Sequence, residues 1–333
     1  MSQFNSTGQV IASVDPTEIK LDKQIKIVIS LKPILARILK AAVAECKDFT
    51  YEEIEKSIEG KPEVDVVPIE AISITGLAQE DYQPNEGLIR YDVRTYLKLP
   101  NMAASECYKI LIDVEAQKDD SPGYDIPVRA LYYCCRMISS QYNKEFTTNS
   151  NDDKKYGNIK KVYSIWICTE TAQYRANCIS RYHIDEQMLV GNKSKDVRYD
   201  LLEAIIINLS KNHDVGNCSD STISFLTDLF DDTQTAEEKL SKLETKHHLS
   251  VTEEISKEVK SMCTYTSNLK SASLDEGLNI GLNQGLNQGL NLGLKALVRS
   301  LKSYCSDFNT LLEAVRKNEE YSNVSEDEVR KYY

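Results

Sequence analysis

No window of the chain reaches the roughly 18 consecutive apolar residues that a membrane-spanning helix requires. The opening residues, MSQFNSTGQVIASVDPTEIK, hold no apolar segment of the kind that marks a secretory signal. Nine cysteines are present, yet none stands in a CxxC pair or in Cys/His zinc spacing. Cys134, Cys135 and Cys168 lie in apolar surroundings, which fits reduced, partly buried thiols. His183, His213, His247 and His248 show no metal-ligand spacing with one another. Positive charge is also short. Forty Lys and Arg face 51 Asp and Glu, a net charge of −11, which excludes a generally basic coat but not a local basic groove. These absences point to a cytoplasmic globular protein without membrane association. Its 333 residues suffice for one large domain or two modest ones.

The pattern along the chain is that of an α/β core followed by helices. Residues 1–30 carry little periodicity and read as a flexible lead. From Lys32, Pro33 suits a first helical position, and Ile34, Leu35, Ile38, Leu39, Ala42 and Val43 recur at helical spacing. That helix ends near residues 46–48 and carries Glu45 close to its end. Residues 51–58 predict a short helix stopped by Gly60, residues 64–76 a β-branched strand, and residues 79–87 a polar loop. Residues 125–146 predict a helix with Val128, Leu131, Tyr132, Cys135 and Ile138 on one side. Arg129, Tyr133 and Arg136 fall on its flank, three and four apart. The run VYSIWIC at 162–168 is apolar throughout, as in a strand buried on both faces. Residues 176–184 and 201–209 are further strand candidates, the second equally readable as a helix. This order predicts an α/β domain with a mixed sheet over residues 31–212, a helical region over 213–270 and a helical tail over 271–333.

That tail holds the one internal repeat, in which Gly277, Gly281, Gly285, Gly289 and Gly293 are each followed by Leu. Five glycines cost about 1 kcal/mol each in an isolated helix. Close approach of another helix along the small-residue stripe offsets such a cost, which suggests a homo-oligomer, and a solvated linker helix is the alternative. Near the C-terminus, Ser325 with Glu328 has the spacing of a capping box.

Residues 90–117 carry the chemistry. RYDVRTYLKLP and CYKILIDVEAQ predict two strands joined across Pro100 and Asn101. Asp92 lies in the first, and alternation puts Asp113, Glu115 and Gln117 on one face of the second. Acids in a row near a buried strand need a cation, and two carboxylates on adjacent strands suit Mg²⁺ or Mn²⁺. Gln117, both donor and acceptor, suits holding a phosphate or a water. Arg129, Tyr133 and Arg136 suit a nucleic-acid backbone. Polar residues on an exposed edge strand account for the same spacing without a ligand.

With the following helix and strand added, the pattern resembles the PD-(D/E)XK nuclease-like transposases, in particular the recombination-promoting nuclease (Rpn) branch found in bacteria. The matching residues are Tyr91 and Asp92, the run IDVEAQ at 112–117, Tyr124, Arg129, Tyr132, Tyr133, Gln141 and the run at 162–168. The resemblance covers about residues 31–210. It implies a restriction-endonuclease-like core, a central mixed sheet flanked by helices, that hydrolyses DNA with Mg²⁺ or Mn²⁺ and promotes recombination. A catalytically silent DNA-binding or interaction module on the same fold is the rival reading. The implied metal ligands are Asp92 and Glu115, with Glu45 as an additional acid. The implied catalytic set is Asp92, Glu115 and Gln117, and the implied DNA contacts are Arg129, Tyr133, Arg136 and Gln141. Most such nucleases carry lysine where this chain has Gln117, which supplies neither positive charge nor a general base. The lysines 154, 155, 160 and 161 form either a phosphate contact or a solvated loop.

Overall fold

The computed structural model describes residues 16–64, 80–83, 87–90, 92–102, 108–115, 125–142, 145–146, 156–191, 198–216 and 218–333, and at 80–83, 87–90 and 109–115 it is the backbone that is described. The chain divides into two compact units, Met1–Thr266 and Ser267–Tyr333. The expected boundary near residue 212 therefore falls inside the first unit.

The first unit opens with helices. α1 is Pro16–Ser30, α2 is Lys32–Ala42 and α3 is Tyr51–Ser57. Helix α1 corrects the expected flexible lead for residues 16–30, because Ile25, Val28 and Ile29 bury one face of it at helical spacing. Residues 1–15 lie outside those described. In α2 the predicted apolar positions, Ile34, Leu35, Ile38 and Leu39, are fully buried. Thr50 and Glu53 close a capping box at the start of α3.

Six strands form a mixed sheet. They are β1 (Glu63–Val64), β4 (Val93–Leu97), β5 (Tyr108–Glu115), β6 (Val162–Thr171), β7 (Cys178–His183) and β8 (Leu202–Ser210), in the order β1-β4-β5-β6-β8-β7. β5, β6 and β8 run parallel, and β4 and β7 flank them antiparallel. β4 and β5 are the predicted strand pair, with Val93 opposite Ile112 and Leu97 opposite Tyr108. A separate two-stranded hairpin joins β2 (Glu80–Gln83) to β3 (Gly87–Arg90), where a polar loop was expected. Its alternating pattern is too polar to read as a strand. Most of the strand expected over 64–76 lies outside the described residues.

The sheet is covered on both faces. Helix α4 (Ile126–Ser139) packs Ala130, Tyr133, Cys134 and Met137 against Val162, Trp166, Cys168, Ala204 and Ile206. Of the predicted stripe, Leu131 and Ile138 pack partly buried against this core, whereas Val128, Tyr132 and Cys135 are exposed. On the other face, α1, α2, α5 (Ser221–Phe230) and α6 (Ala236–Thr245) share a second core with Tyr163, Ile165, Ile167, Ile205 and Ile207. β6 alternates between these cores, so every residue from Val162 to Cys168 is buried. Arg37 fastens α2 to the chain after α6, donating to the carbonyls of His247 and His248 at 3.3 and 3.0 Å. This is the restriction-endonuclease-like arrangement, a central mixed sheet between helical layers.

Helix α7 (Glu253–Leu301) begins in the first unit and ends in the second. Within the second unit it packs Leu294 and Val298 against α8 (Phe308–Arg316) and α9 (Glu326–Arg330) through Leu311, Leu312, Val315 and Val329. Ser325 and Glu328 form the predicted capping box. No helix among the described residues is long and apolar enough to cross a membrane.

Candidate active site

β4 and β5 carry the predicted acids to one end of the sheet. Asp92 immediately precedes β4, and Glu115 is the last residue of β5. Val93 pairs with Ile112. Continuing that register by one residue sets Asp92 beside Asp113 and diagonal to Glu115, a Cα separation of about 7 Å in a regular antiparallel pair. In the parallel ladder Glu115 pairs with Cys168. Two carboxylate residues at neighbouring stations are a donor set that fits a hard divalent cation. Gln117 lies outside the described residues.

The Asp92 carboxylate is engaged by Lys26, whose Nζ lies 2.7 Å from Oδ1. Asp22, one helical turn before Lys26 on α1, holds the same ammonium at 2.7 Å. The Lys26 and Asp92 side chains are only 13% and 20% exposed. Burial alone would lower the Lys26 pKa. The charges and hydrogen bonds of Asp92 and Asp22 outweigh it and hold the ammonium well above its ordinary value.

Glu45 is not part of this grouping. It sits on the 3₁₀ turn Ala44–Cys46, where its carboxylate accepts from the hydroxyl of Tyr163 and from Lys161 Nζ at 2.9 Å. Tyr163 packs edge-on against Tyr108, the first residue of β5. Glu115 is at the other end of that strand, about 23 Å away at 3.3 Å per residue. The turn after α2 thus delivers its acid to the wrong end of the strands to share a cation with Glu115.

Around Lys161 a separate network closes. Its Nζ lies 2.8 Å from Glu203 Oε1, 2.9 Å from Glu45 Oε1 and 3.4 Å from Asp200 Oδ2. Burial would raise the Glu45 pKa, but the Tyr163 hydroxyl and the Lys161 ammonium bring it below its usual value. Burial also pushes the Tyr163 phenol far up, with Glu45 adding to the shift. Lys161 itself is 5% exposed, so it is no phosphate contact on an open loop. Lys160 pairs with Glu145 at 3.1 Å, and Lys154 and Lys155 lie outside the described residues.

The expected DNA contacts on α4 divide. Arg129 is half-buried, its Nε donating to Tyr133 Oη at 2.9 Å and its guanidinium stacked over the Tyr133 and Trp166 rings. Arg136 is 2% exposed and donates to Tyr132 Oη at 3.2 Å. Tyr133 is 6% exposed in the core. Gln141 is fully buried, donating to the Lys160 carbonyl at 3.0 Å and accepting from the Lys160 amide at 2.8 Å. Burial makes Tyr133, Arg136 and Gln141 internal supports rather than an open surface for a phosphate backbone.

Sequence spacing gave no sign of a third grouping, His213 with Asp231 and Asp232, whose ligand atoms lie within 4.8 Å of one another. His213 Nε2 is 3.0 Å from Asp232 Oδ1. Burial opposes ionisation of Asp231, but hydrogen bonds from Thr233 and Gln234 and the nearby His213 bring its pKa down to about 2. Such exposed acidic groups are common without an ion.

A family model for the PD-(D/E)XK nuclease family transposases matches residues 101–280, just over half of the chain. The chain belongs to that family. The match to this transposase family takes in Glu115, Gln117, α4, β6 and β8, whereas Asp92 lies before it and is joined to it by the β4–β5 ladder. Membership points to nuclease activity, and nucleases of this family typically use divalent metals. Comparison with curated proteins and with solved structures gave no match.

Proposed function

We propose that this protein is a Mg²⁺- or Mn²⁺-dependent DNA endonuclease of the Rpn branch, acting in the cytoplasm and promoting recombination or transposition-like DNA breakage. The observation that carries this reading is the convergence of Asp92 and Glu115 at one end of the β4–β5 ladder, inside a nuclease-family core. Asp92 and Glu115 would hold the ion. When bound, a divalent ion supplies Lewis acidity, easing deprotonation of water and offsetting charge on the phosphodiester. Gln117 orients the attacking water or a phosphate oxygen through its amide. The water oxygen bonds to phosphorus, the bond to the leaving oxygen breaks, and that oxygen takes up a proton. Arg129 is the α4 residue of the expected set that remains as a candidate DNA contact.

The test is nicking of supercoiled plasmid with Mg²⁺ or Mn²⁺ by the full chain, beside Asp92→Ala and Glu115→Ala. The reading expects nicking by wild type, none with EDTA, and loss in both variants. Equal nicking by all three, or by none, would refute it. The second result would favour a silent DNA-binding or interaction module on the same fold.

The repeat in α7 supports a further proposal, a homo-oligomer through its glycine face. A Cβ built at Gly277, Gly281, Gly285 or Gly289 meets nothing within 4 Å, and Leu278, Leu282 and Leu286 beside them are 61–63% exposed. Deletion of residues 275–295 should lower the solution mass to that of one chain. An unchanged mass rules this proposal out.

A further inference from the structure

We infer that Lys26 is the cationic side chain of the reaction centre, sharing Asp92 with the divalent ion and supplying the positive charge that Gln117 lacks. The inference rests on the reading of Asp92 and Glu115 as the ion-holding acids.

Three observations carry it. Lys26 Nζ makes the 2.7 Å contact to Asp92 with its side chain 13% exposed, so the ammonium is part of the packed structure and not a solvated surface charge. Its helix is fixed in place. Ile25 and Val28, on either side of Lys26, enter the main core, and Gln24 Nε2 donates to the backbone carbonyl and the carboxylate of Glu258 at 3.1 and 2.7 Å. Asp22 then orients the ammonium from one turn away. These contacts give a lysine that stays in one place, as preorganised electrostatic stabilisation requires.

The chemistry needs such a charge. Hydrolysis of a phosphodiester adds negative charge to phosphoryl oxygens in the transition state, and a neutral amide at 117 offsets little of it. Lys26 forms no bond and gives up no proton in this role. It is a positioning residue that acts through Asp92 and through its field. A lysine of purely structural value would support Asp92, and its loss would weaken ion binding and rate together. A lysine of the reaction centre repels the divalent ion from a shared carboxylate, so its removal tightens ion binding while the rate falls.

The experiment measures Mn²⁺ binding by calorimetric titration and Mn²⁺-dependent plasmid nicking on the same full-length preparations of wild type, Lys26→Met and Lys26→Arg. Thermal unfolding confirms that each is folded. Lys26→Gln replaces the methionine variant if that one does not fold. The inference predicts nicking about 100-fold slower in Lys26→Met at saturating Mn²⁺, Mn²⁺ binding tighter than wild type, and a Lys26→Arg rate within about tenfold of wild type. Wild-type nicking by Lys26→Met overturns it. So does a fall in Mn²⁺ affinity that accounts for the lost rate, or an equal loss in Lys26→Arg. If wild type itself does not nick, the nuclease reading fails separately. Lys26 is then judged on binding alone: tighter Mn²⁺ binding in Lys26→Met upholds the shared carboxylate, and unchanged or weaker binding overturns it.

Discussion

Two lysines face acids at opposite ends of the parallel strands, and their surroundings differ. Lys161, at the start of β6, is ringed by Glu45, Asp200 and Glu203, and the Tyr163 hydroxyl also bonds Glu45. Lys26 meets Asp92 at the end where β5 finishes, with Asp22 as its second anchor. Lys161 holds a knot of side chains from three separate segments, so its loss strands buried charge. Lys26 is delivered by one helix to an acid beside the end of β5. A lysine–carboxylate pair does not declare its purpose. What distinguishes these two is how many chain segments depend on the ion pair and what lies next to it.

The largest effect expected from this contrast is on activity. Asp92→Ala should slow plasmid nicking roughly a thousandfold, the several kcal/mol of charge stabilisation that a metal supplies. Glu45→Ala, at the other strand end, should stay within about tenfold of wild type per folded molecule. A comparable loss in Glu45→Ala would erase the distinction.

Next in size is stability. Lys161→Met leaves Glu45 and Glu203 without their shared cation, and should cost about 3–5 kcal/mol in urea unfolding. A cost below about 1 kcal/mol would show that the network holds nothing together.

The pH dependence is smaller and has a definite sign. The folded-state pKa of Glu45 is depressed, so its contribution is present above the unfolded value of about 4.3 and is lost as pH falls through the lower folded value. The Lys161 pKa is raised, because hydrogen bonds and charge from Glu203 and Glu45 outweigh burial. Its contribution is present below about 10.4 and is lost as pH rises through the higher folded value. The stability difference between wild type and Glu45→Gln should therefore be level near neutrality and shrink below about pH 4. Urea midpoints across that range would show it, and a difference that grows on acidification would contradict the assignment.

The smallest effect separates glycines of one repeat. A Cβ at Gly293 would collide with the Tyr321 hydroxyl, which donates to the Leu290 carbonyl at 3.0 Å. At Gly281 it would meet open space. In single chains at low concentration, Gly281→Ala should stabilise α7 by about 1 kcal/mol. Gly293→Ala should show no such gain, because the displaced hydrogen bond offsets it by about the same amount. Thermal unfolding of the two variants reads the difference.

Much of the fold was legible. The run VYSIWIC at 162–168 is a central strand because only a strand covered on both faces tolerates Tyr163 and Trp166 pointing opposite ways. The β4–β5 pair followed from β-branched runs broken by Pro100, and the Ser325–Glu328 cap followed from spacing alone. Helix α1 escapes a reading by periodicity although Leu21, Ile25, Val28 and Ile29 mark its face, because the polar residues before it dilute the pattern. At the candidate site, spacing gave Asp92 and Glu115, but it could not give Lys26, since the contact spans two elements with no shared motif. Nor could it tell that Glu45 lands at the far end of β5, because a helix end is free to meet either end of a strand. Arg136 and Gln141 looked like surface contacts by residue type. Gln141 is buried where the turn after α4 folds back onto Lys160, a tertiary fact absent from local periodicity.

The proposed place of the divalent ion is between Asp92 and Glu115. Anomalous diffraction from crystals of the full chain soaked in Mn²⁺ tests it directly. The expected result is a peak between the Asp92 and Glu115 carboxylates. A peak instead among Glu45, Asp200 and Glu203, or at His213 with Asp231 and Asp232, would contradict it.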